Sequence, residues 1–190
     1  VGWRKVYCGV FTYVLDGVRF YFIDNEQYFK RPGLYGYDDD NERFAYFDFA
    51  VLELISHLDL KPDILHLHDW QTAMIAMLYK ERYCYYEHYE NIKIVFTIHN
   101  IAFQGKADPN LLSELFGLDN YHGNCRNDGC FNMMKAAIFY SDIVTTVSPT
   151  YAKEILTPEY GEGLQNILEM RKYDLYGILN GVDYDVINPS

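Results

Sequence analysis

Two segments rich in β-branched and aromatic residues open the chain, 5–15 and 18–23, with Asp16-Gly17 between them. Such side chains pack well on a pleated strand, and Asp-Gly readily takes the left-handed backbone of a two-residue turn. The pattern predicts an N-terminal β-hairpin. A loop follows, carrying Arg31-Pro32-Gly33 and the acidic run Asp38-Asp39-Asp40. That run lacks the spaced oxygen ligands of a calcium loop and reads as solvated. Over 41–57, Phe44, Phe47, Ala50, Val51, Leu54 and Ile55 recur at intervals of three and four. This spacing predicts a helix with one buried stripe, stopped by Lys61-Pro62.

Short apolar runs then alternate with helical stretches. Residues 63–68, 93–100, 142–148 and 175–183 are the runs; 70–83, 131–140, a helix opened by Ser148-Pro149, and 164–172 are the helices. Ser at N-cap and Pro in the first turn mark a helix start. Alternation of this kind predicts an α/β domain whose Rossmann-like parallel sheet is covered on both faces, with a right-handed crossover through 70–83. No repeat, low-complexity tract or interior linker divides residues 1–190, which read as one domain.

Composition narrows the function. Of 190 residues, 49% are hydrophobic and 23% charged, the balance of a folded soluble protein. A net charge of −11 argues against nucleic-acid binding by phosphate neutralisation and against a polybasic membrane anchor. No apolar run reaches the ~18–20 residues needed to span a bilayer. The start, Val1-Gly2-Trp3-Arg4-Lys5, does not read as a signal peptide, and its lack of Met points to a processed or trimmed chain. Cys8, Cys84, Cys125 and Cys130 form no CxxC pair and read as free thiols of a reducing cytosol. Phosphate-loop and serine-hydrolase motifs are absent.

In an open α/β sheet, ligands bind beyond the carboxyl ends of the strands. Here those ends read His66-Leu67-His68-Asp69, His99-Asn100, Thr145-Thr146-Val147-Ser148 and Asn180-Gly181-Val182-Asp183. Strand alternation puts His66 and His68 on one side. A metal pair is one reading, but no third ligand follows at helical spacing, so no metal centre is expected. His66 reads as a satisfied core histidine, and His68 as the exposed ligand-binding one. Asp69 reads as the N-cap of the next helix and Trp70 as wall packing. His99 and Asn100 offer donors and acceptors suited to sugar hydroxyls. Gly105 beside Lys106 marks a spot where backbone can approach a ligand. Asn180-Gly181 is either a tight turn or part of the site.

Several strings, in order along nearly the whole chain, resemble bacterial glycogen synthase and plant starch synthase. They are Tyr21-Phe-Ile-Asp24, Arg31-Pro-Gly33, Arg43-Phe-Ala45, Pro62-Asp-Ile-Leu-His-Leu-His-Asp-Trp70 and Phe96-Thr-Ile-His-Asn-Ile-Ala-Phe-Gln-Gly105. Asn132-Met-Met-Lys135, Thr145-Thr-Val-Ser-Pro-Thr-Tyr-Ala-Lys-Glu154, Tyr160-Gly-Glu-Gly-Leu164 and Ile178-Leu-Asn-Gly-Val-Asp183 continue the series. The resemblance implies the later part of the first, acceptor-side lobe of a two-lobed (GT-B type) glycosyltransferase, ending at an interlobe hinge over 180–189. The family's Lys-Thr-Gly-Gly loop would precede Val1 and its second lobe would follow Ser190.

The implied activity is retaining transfer of glucose from a nucleotide sugar, ADP-glucose, to an α-1,4-glucan, without metal or cofactor, in the bacterial cytoplasm. His68 carries over as the catalytic contact to the donor glucosyl unit, and His99, Asn100 and Asn180 as substrate-binding residues near the cleft floor. Neither nucleic acid nor membrane is implied as a partner, and oligomeric state stays open. The chain alone is expected to be inactive; the competing reading is a standalone, non-catalytic carbohydrate-binding or regulatory module.

Overall fold

The computed structural model describes residues 1–118, 123–183 and 187. The hairpin forms as expected: β1 (Gly9–Leu15) pairs antiparallel with β2 (Val18–Asp24), Leu15 opposite Val18. Asp16 and Gly17 close it at φ 50° and 80°, the left-handed pair such a turn requires. A short helix α1 (Glu26–Phe29) is capped by the Asn25 side chain, and the longer α2 runs Asp40–His57.

In α2 the buried line is Ala45, Asp48, Leu52 and Ile55, rotated by about one position from the expected stripe. Phe47, Val51 and Leu54 face instead a half-open apolar groove shared with Tyr21 and Ile23 of β2. The helix packs on two sides, so its apolar arc is wider than a single stripe.

The central sheet contains β3 (Ile64–His68), β4 (Lys93–Ile98), β8 (Ile143–Thr146) and β9 (Leu175–Gly177), all parallel, in the order β3-β4-β8-β9. Between β3 and β4 lies α3 (Met74–Glu81), a helix shorter than 70–83 and flanked by 3-10 turns at Trp70–Thr72 and Tyr83–Tyr85. Between β4 and β8 a small antiparallel sheet that the periodicity did not predict joins β5 (Lys106–Ala107), β6 (Arg126–Asn127) and β7 (Cys130–Asn132). Near it lie α4 (Leu111–Phe116) and α5 (Met133–Tyr140). Asn132 ends β7 and caps α5 by accepting the Lys135 N–H at 2.9 Å, so the stretch from 131 splits into strand and helix. Next come α6 (Pro149–Glu154), capped by Ser148 as expected, and α7 (Gln165–Met170). Only Leu175–Gly177 of the last run is strand. The expected hinge over 180–189 lies partly outside the described residues, which omit 184–186 and 188–190.

The sheet is covered on one face, not both. Every step in the order β3-β4-β8-β9 moves in the same direction. Right-handed crossovers then place all the connecting helices on the same side. Leu67, Ile94, Phe96, Ile98 and Val144 point there and join Met74, Leu78, Met134, Ala137, Ile155 and Leu168 in one core. Ile64, His66, His68, Val95, Thr97, Thr145 and Tyr176 share the opposite face by register. On it Ile64 is 56% exposed and Tyr176 50%.

Candidate functional site

At the carboxyl end of β3 the chain turns sharply. Asp69 takes φ 56° and ψ −176°, a region that residues with a side chain rarely occupy. Two side chains hold the turn. Thr72 Oγ1 accepts the His68 N–H at 2.7 Å and donates to the His68 carbonyl at 2.9 Å, fixing His68 at both backbone groups. Asp69 does not cap the following helix: its carboxylate makes no capping bond there. Instead its Oδ1 accepts the His99 N–H at 2.8 Å and lies 3.4 Å from the Asn100 N–H, tying β3 to the end of β4. The helical stretch after Asp69 suggested a cap, but the positive φ turns the carboxylate away from it.

Three imidazoles gather on the open face. His68 Nδ1 lies 3.0 Å from His99 Nε2. The His66 and His68 rings are 4.3 Å apart, tilted 34°. His66 Nε2 meets Thr97 Oγ1 at 2.7 Å, which in turn meets Thr145 Oγ1 at 2.6 Å. His66 is thus satisfied as expected, but it is exposed and not a core residue, because the face it stands on is uncovered. Partial burial, then repulsion from His66 and His99, lowers the His68 pKa below that of a free imidazole, with Asp69 pulling weakly the other way. His66 is lowered for the same reasons, burial first and His99 second. His66 and His68 therefore favour the neutral form, and the imidazoles offer N–H donors and bare nitrogen acceptors to a polar ligand. Among the described residues no group of His, Cys, Asp and Glu is arranged to hold a metal ion.

The remaining expected residues scatter in role. Asn100 is exposed beside the pair, and its Oδ1 accepts the Ala102 N–H at 3.0 Å. Asn180 is exposed beyond β9 and makes no hydrogen bond to the histidines. Ser148 is committed to its cap, accepting the Tyr151 N–H at 2.9 Å. Gly105 is packed against Trp70: at φ +64°, a Cβ there would stand 2.6 Å from Trp70 Cε3. Trp70 is wall, edge-on to Phe44 with ring centroids 5.0 Å apart. Gln104, in the same string, is buried, and it donates to the Ile101 and Glu162 carbonyls while accepting from Asn132. Thr72 and Thr97 carried no sequence signal beyond their closeness to the histidines.

Comparison with known proteins gives the family. A profile described as starch synthase catalytic domain matches residues 1–170. A glycogen synthase of Lactococcus lactis subsp. lactis is 54% identical over 193 aligned positions, which cover 100% of this chain and 40% of that protein. One from Clostridium botulinum is 55% identical, covering 100% of this chain and 41% of the relative. A solved structure described as the catalytic domain of starch synthase IV from Arabidopsis thaliana bound to ADP and acarbose superposes with a TM-score of 0.86 and 39% identity, over 96% of this chain and 39% of that one. The chain thus spans about two fifths of the length of the curated relatives it matches. With the profile running through β3, β4 and β8 and the histidine-bearing strand ends, the chain belongs to the starch synthase catalytic-domain family.

Proposed function

We propose that this chain is part of the first lobe of a retaining glucosyltransferase that extends α-1,4-glucan from ADP-glucose, and that the stretch 180–189 leads into the second lobe. The observation that carries the reading is the His68–His99 pair, ring nitrogens 3.0 Å apart and anchored by Asp69 and Thr72, in a chain more than half identical to bacterial glycogen synthases. The ADP and acarbose of the Arabidopsis relative support a nucleotide-sugar donor and a glucan acceptor. Bacterial relatives support a cytoplasmic setting.

In this reading His68 touches the donor glucosyl unit. An uncharged imidazole there adds hydrogen bonds without placing a cation beside an anomeric carbon that itself becomes positive. Fixed dipoles are the groups that stabilise such developing charge. The bond from the anomeric carbon to the leaving phosphate breaks as the bond to the acceptor oxygen forms. The acceptor hydroxyl proton passes to the leaving phosphate oxygen. His99, Asn100 and Asn180 line the polar floor.

The test is incorporation of labelled glucose from ADP-glucose into glycogen. The whole synthase carrying these residues is expected to extend the glucan and the 190-residue chain alone to show no turnover. Transfer by the chain alone, or none by the whole protein, overturns the reading.

A further inference from the structure

Two ring nitrogens 3.0 Å apart share one proton: both protonated would repel, and both bare would leave no bond. Either His99 Nε2–H donates to His68 Nδ1, or His68 Nδ1–H donates to His99 Nε2. The first arrangement gives both rings the Nε2–H tautomer that a histidine side chain favours in water. The second forces both into the less favoured Nδ1–H form. Nothing opposes the first: among the described residues neither His68 Nε2 nor His99 Nδ1 has a hydrogen-bond partner that would reverse the preference. The backbone on both sides is held, His68 by Thr72 and His99 by Asp69, so the two rings meet in a defined geometry.

We infer that His99 is a positioning residue that acts through His68: by donating from Nε2 to His68 Nδ1 it fixes the tautomer of His68 and leaves His68 Nε2–H as a donor toward a sugar oxygen. The inference rests on the reading of His68 as the contact to the donor glucosyl unit. It differs from a direct substrate contact by His99, whose loss would weaken binding without changing His68.

Two variants of the whole synthase test it. His99→Phe keeps the ring and removes the nitrogen; His99→Gln keeps an amide N–H near the Nε2 position. Imidazole nitrogen NMR on histidine-labelled protein should show His68 with a bare Nδ1 and a protonated Nε2 in the parent and in His99→Gln. His99→Phe should show averaged His68 tautomers. In kinetics, His99→Phe should lower kcat about twofold with KM for ADP-glucose nearly unchanged, because a freed His68 still favours Nε2–H, and His99→Gln should recover the loss. Identical His68 nitrogen signals in parent and His99→Phe, or a parent His68 protonated at Nδ1, overturn the inference. Failure of the parent synthase to transfer glucose at all would sink the glucosyltransferase reading instead, and the nitrogen signals would still decide the role of His99.

Discussion

Asp69 reaches from the end of one strand to the backbone of the next, its Oδ1 accepting the His99 N–H at 2.8 Å while its own backbone sits at φ 56°. The carboxylate and the strained backbone are coupled, since the positive φ is what aims the carboxylate at β4. Asp69→Gly should relieve the strain and lose the tie; Asp69→Ala should lose the tie and keep the strain. Thermal unfolding should therefore rank the parent above Asp69→Gly and Asp69→Gly above Asp69→Ala, the last step being about 1–3 kcal/mol. Equal midpoints for the two variants would remove the strain from the account.

Gly105 lies under Trp70, and its φ of +64° disfavours any side chain. Gly105→Ala should cost about 1–3 kcal/mol in an unfolding titration. It should also shift Trp70 fluorescence, because the indole must move. An unchanged midpoint and spectrum would contradict the packing described.

Asp48 is buried in α2, and its Oδ1 has no hydrogen-bond partner. Burial pushes its pKa well above the ordinary carboxylate value, with the Met74 backbone N–H pulling it down. A carboxyl whose folded pKa is raised stabilises fully below its unfolded pKa and loses that contribution as pH rises toward the folded value. Asparagine mimics the neutral acid and does not titrate. Asp48→Asn should therefore match the parent near pH 4 and exceed it increasingly toward neutral pH, each unit of titration being worth about 1.4 kcal/mol. Parallel stability curves would show that Asp48 does not titrate in this way.

Much of this fold was legible before any coordinates. Asp16-Gly17 specified its turn through local backbone preference, and Ser148-Pro149 its helix start. The parallel strands followed from alternation, and the strand ends pointed to His68 and His99. Long-range properties were not legible. That Asp69 bonds β4 rather than its own helix depends on a backbone angle, and that His66 is exposed depends on every crossover stepping the same way. The three-stranded antiparallel sheet around Cys130–Asn132 was too short for periodicity to register.

His66 contributes to the lowered pKa of His68 after burial does. Below neutral pH, protonation of His68 should reduce activity, and the midpoint of that acid limb should lie below 6.5. In His66→Gln the repulsion is gone, so the midpoint should move up toward the ordinary imidazole value. The kcat/KM profile against pH reads this; no movement, or movement to lower pH, contradicts the electrostatic coupling of the cluster.

The central claim is that His68 meets the donor sugar where the reaction occurs, and steady-state kinetics of His68→Ala in the whole synthase test it most directly. A contact that strengthens toward the transition state should, when removed, lower kcat by about 10²-fold or more while KM for ADP-glucose changes little. A parental kcat, with or without a raised KM, would contradict it.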